Sequence, residues 1–292
     1  MRTALIFGGS GQIGAPLLQR LLADGWQVGA VSRVSRPDQP NLQWLRGDLS
    51  RLPELPDRVD AIFSCGPLDA FARWYADSRI HAARVIAFGS TSIATKHDSR
   101  DPHERDLVAR LRGGEDAVFA AARSRTTAAT LLRPTLVYGA GRDATLTRIA
   151  ALARRYRCFP LPSGAYGLRQ PVHVDDLAQA AWQALDASAA FGRSYDLPGG
   201  ETLTYRDMVA RALAALEPAP RLIELPAPVF QLVLQAARLA GRADGFGDAA
   251  LQRMREDLVF DVAPAQRDLG YAPRRFLPDA SIFEPPRSPD AD

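Results

Sequence analysis

The amino-acid sequence predicts a doubly wound parallel α/β fold with a smaller C-terminal lobe. The run Ala4 to Phe7 is apolar throughout, which is typical of a buried parallel strand. It breaks into glycines and continues into leucines at helical spacing, which indicates a strand, a tight turn and a helix. Further runs of strand length alternate with helical patterns as far as Leu185, as in a Rossmann-type sheet.

The opening turn carries Gly8, Gly11 and Gly14 at intervals of three. Glycine adopts backbone angles closed to other residues, lets a diphosphate approach the main chain and lets a helix lie close to a strand. The free amides and positive dipole of the helix start then face the anion. A junction of this kind can need one or two glycines for geometry alone, but three in this frame predict a dinucleotide site. The predicted contacts are Gly8, Ser10, Gly11, Gln12, Ile13 and Gly14.

The remaining elements follow in order along the chain. The predicted strands are 27–32, 42–45, 59–65, 84–88, 127–132 and 172–174, and the predicted helices are 104–123, 143–155, 175–185, 205–216, 228–240 and 248–256. Gly113 and Gly114 weaken the first of these helices. We expect a Rossmann-type domain over 1–190 with an excursion into the lobe near 143–168, a smaller lobe over 191–283, and a tail over 284–292 with a disordered composition.

Composition excludes several classes of protein. The net charge is +3 with both signs interspersed, so nucleic acid is a poor candidate partner. The cysteines, Cys65 and Cys158, form neither a metal spacing nor a disulfide framework, and we expect no metal site. The apolar N-terminus is too short for a secretion signal, and no apolar run has membrane length. We therefore expect a cytoplasmic protein without a membrane partner.

Five ordered motifs carry a resemblance to a known family. They are 8-GGSGQIG-14, 47-GDL-49, 89-GST-91, 132-LRPTLVYG-139 and 169-RQPVHVDDL-177. Their joint order resembles the extended or atypical short-chain dehydrogenase/reductases, the group that includes nucleotide-sugar epimerases and dehydratases. The resemblance covers most of residues 1–200 and implies a nicotinamide dinucleotide cofactor. It also implies a small-molecule or nucleotide-sugar substrate, bound by the C-terminal lobe. The segment 257–261, followed by 265–271, resembles the family's closing strand and helix.

The end of the second strand selects the form of the cofactor. An acidic residue there would bond the ribose 2′-hydroxyl of NAD, whereas an arginine accepts the 2′-phosphate of NADP. This sequence has Ser32 and Arg33, with Arg36 close by and no acid before Asp38. A guanidinium pairs with phosphate through two donors, so we expect NADP(H) in preference to NAD(H). The alternative is a solvated loop arginine in an arginine-rich protein.

The resemblance implies further cofactor contacts at the ends of the next strands. Asp48 and Leu49 would lie against the adenine. Cys65 and Gly66 would lie beside the ribose and diphosphate of the cofactor. Pro134 would lie at its nicotinamide end. Ligands of open α/β sheets gather at these carboxyl ends. For Cys65 itself, packing as a small apolar residue is the expected role of the side chain.

The set of catalytic residues expected of the family is incomplete in this chain. Family enzymes place a serine or threonine after the fifth strand, which Thr91 matches, and a tyrosine with a lysine four residues later on the next helix. No tyrosine lies between Tyr75 and Tyr138. If Glu115 sets the register, the pair falls on Leu107 and Leu111. A shift by one residue gives Val108 and Arg112, of which Arg112 could hold the ribose but could not easily relay a proton.

Replacement acids or bases are sought near the same helix. The candidates are His97, Asp98, Asp101, His103 and Glu104, although the sequence Asp-Pro-His-Glu is also an ordinary helix start. Asp175, after His173, is expected to start a helix. Arg142 and Arg169 are either ligands of an anionic substrate, as an arginine near 169 is in the epimerases, or solvated arginines.

Two functions from different classes follow. One is an NADP-dependent oxidoreductase or a nucleotide-sugar epimerase or dehydratase with an unusual proton donor, such as Thr91 with water. The other is a noncatalytic NADP(H)-binding sensor or structural subunit. The resemblance also implies a homodimer through helices near 67–80 and 104–123, with Phe71, Trp74 and Tyr75 either as anchors or as core residues.

Overall fold

A computed structural model describes residues 1–99, 101–239 and 248–284 of the chain. The strands are β1 Thr3–Phe7, β2 Gln27–Ser32, β3 Leu42–Arg46, β4 Arg58–Ser64, β5 His81–Phe88, β6 Ala128–Pro134, β7 Val137–Tyr138, β8 Cys158–Pro162, β9 Leu168–Arg169, β10 Val172–His173, β11 Arg193–Leu197, β12 Leu203–Thr204 and β13 Arg221–Leu225. The helices are α1 Gly14–Ala23, α2 Leu68–Asp77, α3 Ser92–Thr95, α4 Pro102–Ser124, α5 Leu146–Tyr156, α6 Val174–Gln183, α7 Tyr205–Ala214, α8 Ala227–Leu239, α9 Asp248–Arg253 and α10 Ala263–Leu269, with short 3-10 turns at Ser188–Ala190 and Ala280–Phe283.

Seven parallel strands form the central sheet in the order β11-β6-β5-β4-β1-β2-β3. Helices α1 and α6 pack together against one face, and α2 and α4 pack together against the other. The strand order reverses between β1 and β4, which is where ligands of such sheets bind. The predicted doubly wound Rossmann-type fold is therefore confirmed.

The aromatic residues of α2 belong to the core beneath this sheet. Phe71 and Tyr75 are both 0% exposed, and their rings stack with centroids 5.7 Å apart. The ring of Trp74 lies 4.4 Å from that of Phe7. Phe71 and Tyr75 are thus core residues, and the prediction that they anchor a dimer is wrong because no surface of theirs is free. Association into a homodimer stays a prediction.

A second hydrophobic core lies beside the sheet. It is built largely from α5, α7 and the three short strand pairs β7/β10, β9/β12 and β8/β13. The predicted excursion near 143–168 falls in this second core. Strand β11 pairs with β6, so the sheet extends beyond the border predicted at residue 190. The two-domain division stays a prediction, and the predicted tail lies outside the described residues from 285 onward.

The segment 257–261, predicted as a closing strand by resemblance, is not a strand. Its backbone makes one bond to β9, from Leu258 N to Leu168 O at 2.9 Å. The neighbouring bonds use side-chain acceptors instead: Leu168 N donates to Asp257 Oδ1, and Phe260 N donates to Gln170 Oε1, each at 2.8 Å. A backbone ladder cannot form from these pairs. The helix that follows, α10, is present as expected.

No helix among the residues described is long and apolar enough to cross a membrane.

Helix α4 continues through both of its glycines. A Cβ atom on Gly113 would meet nothing within 4 Å, whereas one on Gly114 would lie 3.1 Å from Leu68 Cγ and 3.4 Å from Asp69 N. Gly114 therefore permits the close packing of α4 against the start of α2.

These adjacent glycines give a matched test of that packing. Gly113→Ala should raise the free energy of unfolding by about 0.5–1 kcal/mol, because alanine has the higher helix propensity. Gly114→Ala gains the same propensity but must displace Leu68, so it should be less stable than Gly113→Ala by about 1 kcal/mol or more. Urea unfolding of both variants measures the difference. Equal changes in stability would show that the α2–α4 contact is not limiting.

Candidate dinucleotide site

The glycine turn brings α1 onto the end of β1. Gly8 has φ 78°, and a Cβ on it would lie 3.1 Å from the carbonyl carbon and oxygen of Cys65. A Cβ on Gly14 would stand 2.0 Å from Gly8 O, a distance that no side chain can tolerate. Gly11 N closes the turn by donating to Gly8 O at 2.8 Å. These three positions require glycine for the approach itself.

The start of α1 is open toward a ligand. Its N-cap, Ile13, makes no side-chain capping bond. Ala15 N already donates to Gly11 O at 3.0 Å, so the amides open to water or an anion, among the residues described, are those of Gln12, Ile13 and Gly14. The Ile13 side chain is buried in the core, and only its backbone can serve a cofactor. Gln12 carries a buried side-chain oxygen without a partner in the described part of the chain. Ser10 offers its carbonyl to Arg142 at 2.8 Å.

Two arginines follow the end of β2, and the first acidic residue after the strand is hydrogen-bonded within the loop. Ser32 is buried, and its hydroxyl donates to Val34 O at 2.8 Å, which shapes the turn. Arg33 and Arg36 are exposed, and the Arg36 guanidinium lies 5.1 Å from the Trp44 ring centre. Asp38, the first acid after the strand, accepts a bond from Trp44 N at 2.7 Å and is tied into the loop.

Asp48 organises the turn after β3. Its carboxylate accepts bonds from Ser50 Oγ at 2.5 Å, Ser50 N at 2.9 Å and Arg51 N at 3.1 Å. These bonds, the Ser50 hydroxyl first, lower the pKa of Asp48, and Arg33 adds a smaller electrostatic contribution in the same direction. Leu49 is half-buried against the core beside α2. Their contact with an adenine stays a prediction.

Cys65 and Gly66 follow β4 directly opposite the glycine turn. Cys65 N donates to Phe7 O at 2.9 Å, which ties the ends of β1 and β4 together. Burial raises the pKa of the Cys65 thiol to about 12, so the thiolate is not populated at neutral pH. The side chain therefore packs and does not react. A Cβ on Gly66 would meet open space, so glycine is not required there for packing.

Thr91 and Pro134 meet at the ends of β5 and β6. Thr91 is buried, its hydroxyl donates to Pro134 O at 3.1 Å, and its amide donates to the same oxygen at 3.2 Å. The two predicted site residues are thus in contact. The hydroxyl proton is already committed to the backbone, so Thr91 must rotate before it can donate to a substrate.

Helix α4 carries a buried acid, Glu115, which is the residue that sets one of the two possible positions of the family's tyrosine and lysine on this helix. Glu115 accepts two bonds from Arg133, from Nε at 2.8 Å and from Nη2 at 2.5 Å. The bond to Glu115 raises the pKa of Arg133. Leu111 is half-buried on the same side of the helix, whereas Arg112 is exposed. This arrangement favours the register that places Leu107 and Leu111 at the tyrosine and lysine positions.

The predicted substitute acids and bases near α4 have structural partners. Asp101 caps the helix by accepting from His103 N at 2.9 Å, with Pro102 in the first turn, so the helix-start interpretation is confirmed. His97 is exposed, with Nε2 2.7 Å from an Asp98 carboxylate oxygen. These side chains belong to a helix start and a surface loop.

Glu104 is the centre of a cluster that the sequence did not reveal. Its carboxylate lies 2.7 Å from Ser99 Oγ, 3.2 Å from Lys96 Nζ and 2.5 Å from Arg253 Nη1. Burial acts to raise the pKa of Glu104, but the Ser99 bond and the two cations together hold it below its usual value. Glu104 is therefore ionised at neutral pH and joins α4 to α9.

His173 caps α6 and lies against the loop after β7. Its Nδ1 accepts from Asp175 N at 3.2 Å, and its ring contacts Tyr138 edge-on at 5.0 Å. A Cβ on Gly139 would come within 2.4 Å of His173 Nε2, so this packing requires glycine. Burial lowers the pKa of His173. Asp175 starts the helix, as expected.

Arg169 is buried and bonded to the backbone. Its guanidinium donates to Leu168 O and Glu256 O, each at 2.7 Å, and also to Arg253 O. The solvated alternative is therefore wrong. Three of the five N–H donors of its guanidinium are thereby engaged by the backbone. Arg169 lines a cavity of about 260 Å³ together with Tyr205 and Arg253.

No group of three or more acidic, histidine or cysteine side chains in the described ranges could hold a metal ion. The glycine turn lies where the strand order of the parallel sheet reverses, and this combination defines a Rossmann-type protein.

Comparison with known proteins narrows this class. Residues 78–197 match the sequence profile of the NAD dependent epimerase/dehydratase family. A 2-alkyl-3-oxoalkanoate reductase of Stenotrophomonas maltophilia is 28% identical, over 92% of this chain and 94% of its own. An NADH dehydrogenase [ubiquinone] 1 alpha subcomplex subunit 9 of Arabidopsis thaliana is 27% identical, over 77% of this chain and 61% of its own.

A solved structure shows the same fold over nearly the whole chain. UDP-glucuronic acid 4-epimerase from Bacillus cereus, in complex with NAD, superposes with a TM-score of 0.71 at 14% identity, covering 97% of each chain. The resemblance to the extended or atypical short-chain dehydrogenase/reductases is thereby confirmed. Over residues 78–197 the chain is similar to the NAD dependent epimerase/dehydratase family, and over nearly its whole length it has the fold of a UDP-glucuronic acid 4-epimerase.

The buried His173 predicts a pH dependence of stability. Its folded pKa lies below the ordinary value of 6.5, so between these two values the unfolded chain binds a proton that the folded chain does not. This contribution to stability is complete above pH 6.5 and decreases as the pH falls below it. Urea unfolding at about pH 7.5 and about pH 5.5 should show a smaller loss for His173→Gln than for the wild type. The exposed His103→Gln serves as control, and equal losses in all three proteins would contradict the prediction.

Proposed function

We propose that the chain binds NADP(H), in preference to NAD(H), across the glycine turn. The observation that carries this proposal is the charge at the end of β2. Arg33 is exposed beside the turn, while the first acid after it, Asp38, is held by Trp44 N at 2.7 Å. A 2′-phosphate would therefore meet a guanidinium, and a 2′-hydroxyl would lack an acidic acceptor.

We further propose that the chain is an oxidoreductase that reduces a small carbonyl compound. NADPH, when bound, supplies a hydride to the carbonyl carbon, and the resulting alkoxide needs one proton. Thr91 is the candidate that holds a proton-donating water at this point, because its oxygen retains lone pairs while its own proton bonds Pro134 O. The similarity to a reductase over most of both chains supports this class of reaction.

Arg169 argues against a nucleotide-sugar substrate. It lies at the position where the epimerases use an arginine for the substrate diphosphate, yet its guanidinium is bonded to three backbone carbonyls. Freeing these donors would break three part-buried bonds to the backbone, each worth on the order of 1 kcal/mol. A substrate without a diphosphate avoids that cost.

The alternative is a noncatalytic NADP(H)-binding subunit or sensor. Leu107 and Leu111 stand at the positions of the proton donor and its lysine, and Glu104 is ionised and paired. The similarity to a subunit of a respiratory complex supports this class. Turnover, not binding, separates the two proposals.

The cofactor preference is tested by direct titration. The dissociation constant for NADPH should be lower than that for NADH, on the order of tenfold or more, because the 2′-phosphate gains a bidentate partner. Arg33→Ala should weaken NADPH binding by a similar factor and leave NADH binding nearly unchanged. Arg20→Ala, an exposed arginine at the other end of α1, should change neither. Equal affinities in the wild type would overturn the proposed preference.

The reaction is tested by NADPH oxidation with a panel of ketones, aldehydes and nucleotide sugars. An oxidoreductase should turn over one of the carbonyl compounds. Thr91→Val should then reduce kcat by about 10²-fold or more, and Thr91→Ser, which restores the hydroxyl, should recover part of it. NADPH binding should be retained in both variants. Tight binding with no turnover across the panel would favour the noncatalytic alternative.

A further inference from the structure

The loop after β7 is held rigidly beside the glycine turn. Gly141 N donates to Ile282 O at 2.9 Å, and a Cβ on Gly141 would lie 2.6 Å from the carbonyl carbon of Glu284. On the other side of Arg142, the buried Asp143 caps α5 by accepting from Thr145 N at 3.0 Å and from Leu146 N at 2.5 Å. The backbone on both sides of Arg142 is therefore fixed.

Arg142 extends from this loop to the turn. Its Nη1 donates to Ser10 O at 2.8 Å across 132 positions of sequence. The side chain is exposed, and no carboxylate pairs with it in the parts of the chain that the structure describes. A guanidinium has five N–H donors, so most of its bonding capacity is available. An unpaired cation is thus held against the turn whose free amides attract an anion.

We propose that Arg142 is a second cofactor-binding cation, specific for the diphosphate of the dinucleotide and not for a substrate. This inference rests on the proposed dinucleotide binding at the turn. Because NAD(H) and NADP(H) share the diphosphate, Arg142 strengthens the binding of both to the same extent. Arg33 acts on the 2′-phosphate alone. Arg142 therefore raises the affinity for both cofactors, and Arg33 sets the preference for NADP(H).

Four ligands separate these roles: NADPH, NADH, ADP-ribose and adenosine 2′,5′-bisphosphate. The first three contain the diphosphate, and the last contains the 2′-phosphate but no diphosphate. Arg142→Gln should weaken the first three on the order of tenfold, with the ratio of NADPH to NADH affinity unchanged. It should weaken the fourth less, because that ligand offers a single 5′-phosphate in place of the diphosphate. Arg33→Ala should instead weaken NADPH and the bisphosphate. Arg155→Ala, an exposed arginine of α5, is the matched control.

Each outcome decides the inference. It is overturned if Arg142→Gln binds all four ligands like the wild type; in that case a shift in selectivity with Arg33→Ala still supports the proposed function. It is also overturned if Arg142→Gln weakens the bisphosphate equally, since the turn has then lost its shape. Arg142→Lys, which keeps the charge, should retain part of the affinity. If the wild type binds none of the dinucleotides, the proposed function fails and the inference fails with it.

Discussion

The contact between Gly14 and Gly8 O is the constraint on which the site depends. A Cβ at Gly14 would lie 2.0 Å from that oxygen, so α1 can begin directly on the end of β1 only because the atom is missing. This approach points the open amides of α1 at the switch point of the sheet. It also places Ser10, whose carbonyl accepts a bond from Arg142 at 2.8 Å. One steric requirement therefore sets both the turn and its neighbouring cation.

In the opposite half of the cleft, the charged side chains pair with one another or bond to the backbone. Glu115 and Arg133 neutralise each other beneath the end of β5, where Gly89 leaves room for the carboxylate. Glu104 is shared between Lys96 and Arg253, and Arg169 bonds the backbone of the segment that follows Arg253. Buried charges are stable only when paired or hydrogen-bonded, and these are. These pairings engage the carboxylates of Glu104 and Glu115 and join α4 to β6 and α9.

Sequence predicted the sheet and the glycine turn well because both depend on local patterns. Strand β2 has the predicted bounds, and the glycine spacing identified the turn, since each signal lies within a few residues. The partners of Arg169, Glu104 and Arg142 lie as far as 87, 149 and 132 positions away. Such pairs leave no local signature, so the sequence could not choose between a solvated arginine, a substrate ligand and a structural bond. The strand expected at 257–261 failed for a related reason: side-chain acceptors had taken its partners.

The difference between the two halves of the cleft would affect the rate of hydride transfer more than the affinity for the cofactor. In the proposed function, the turn, Arg33 and Arg142 would all act on the cofactor and would need no substrate to do so. Hydride transfer, in contrast, requires a proton at the carbonyl oxygen, and the Thr91 hydroxyl is directed at Pro134 O. If Leu107 and Leu111 stand at the tyrosine and lysine positions, that pair cannot supply a donor of lowered pKa. Under the proposed oxidoreductase function, such a site would bind its cofactor firmly and transfer hydride slowly unless the substrate brought an ordered water or an acidic group of its own. A substrate that carries its own proton donor would therefore be the one best matched to this cleft.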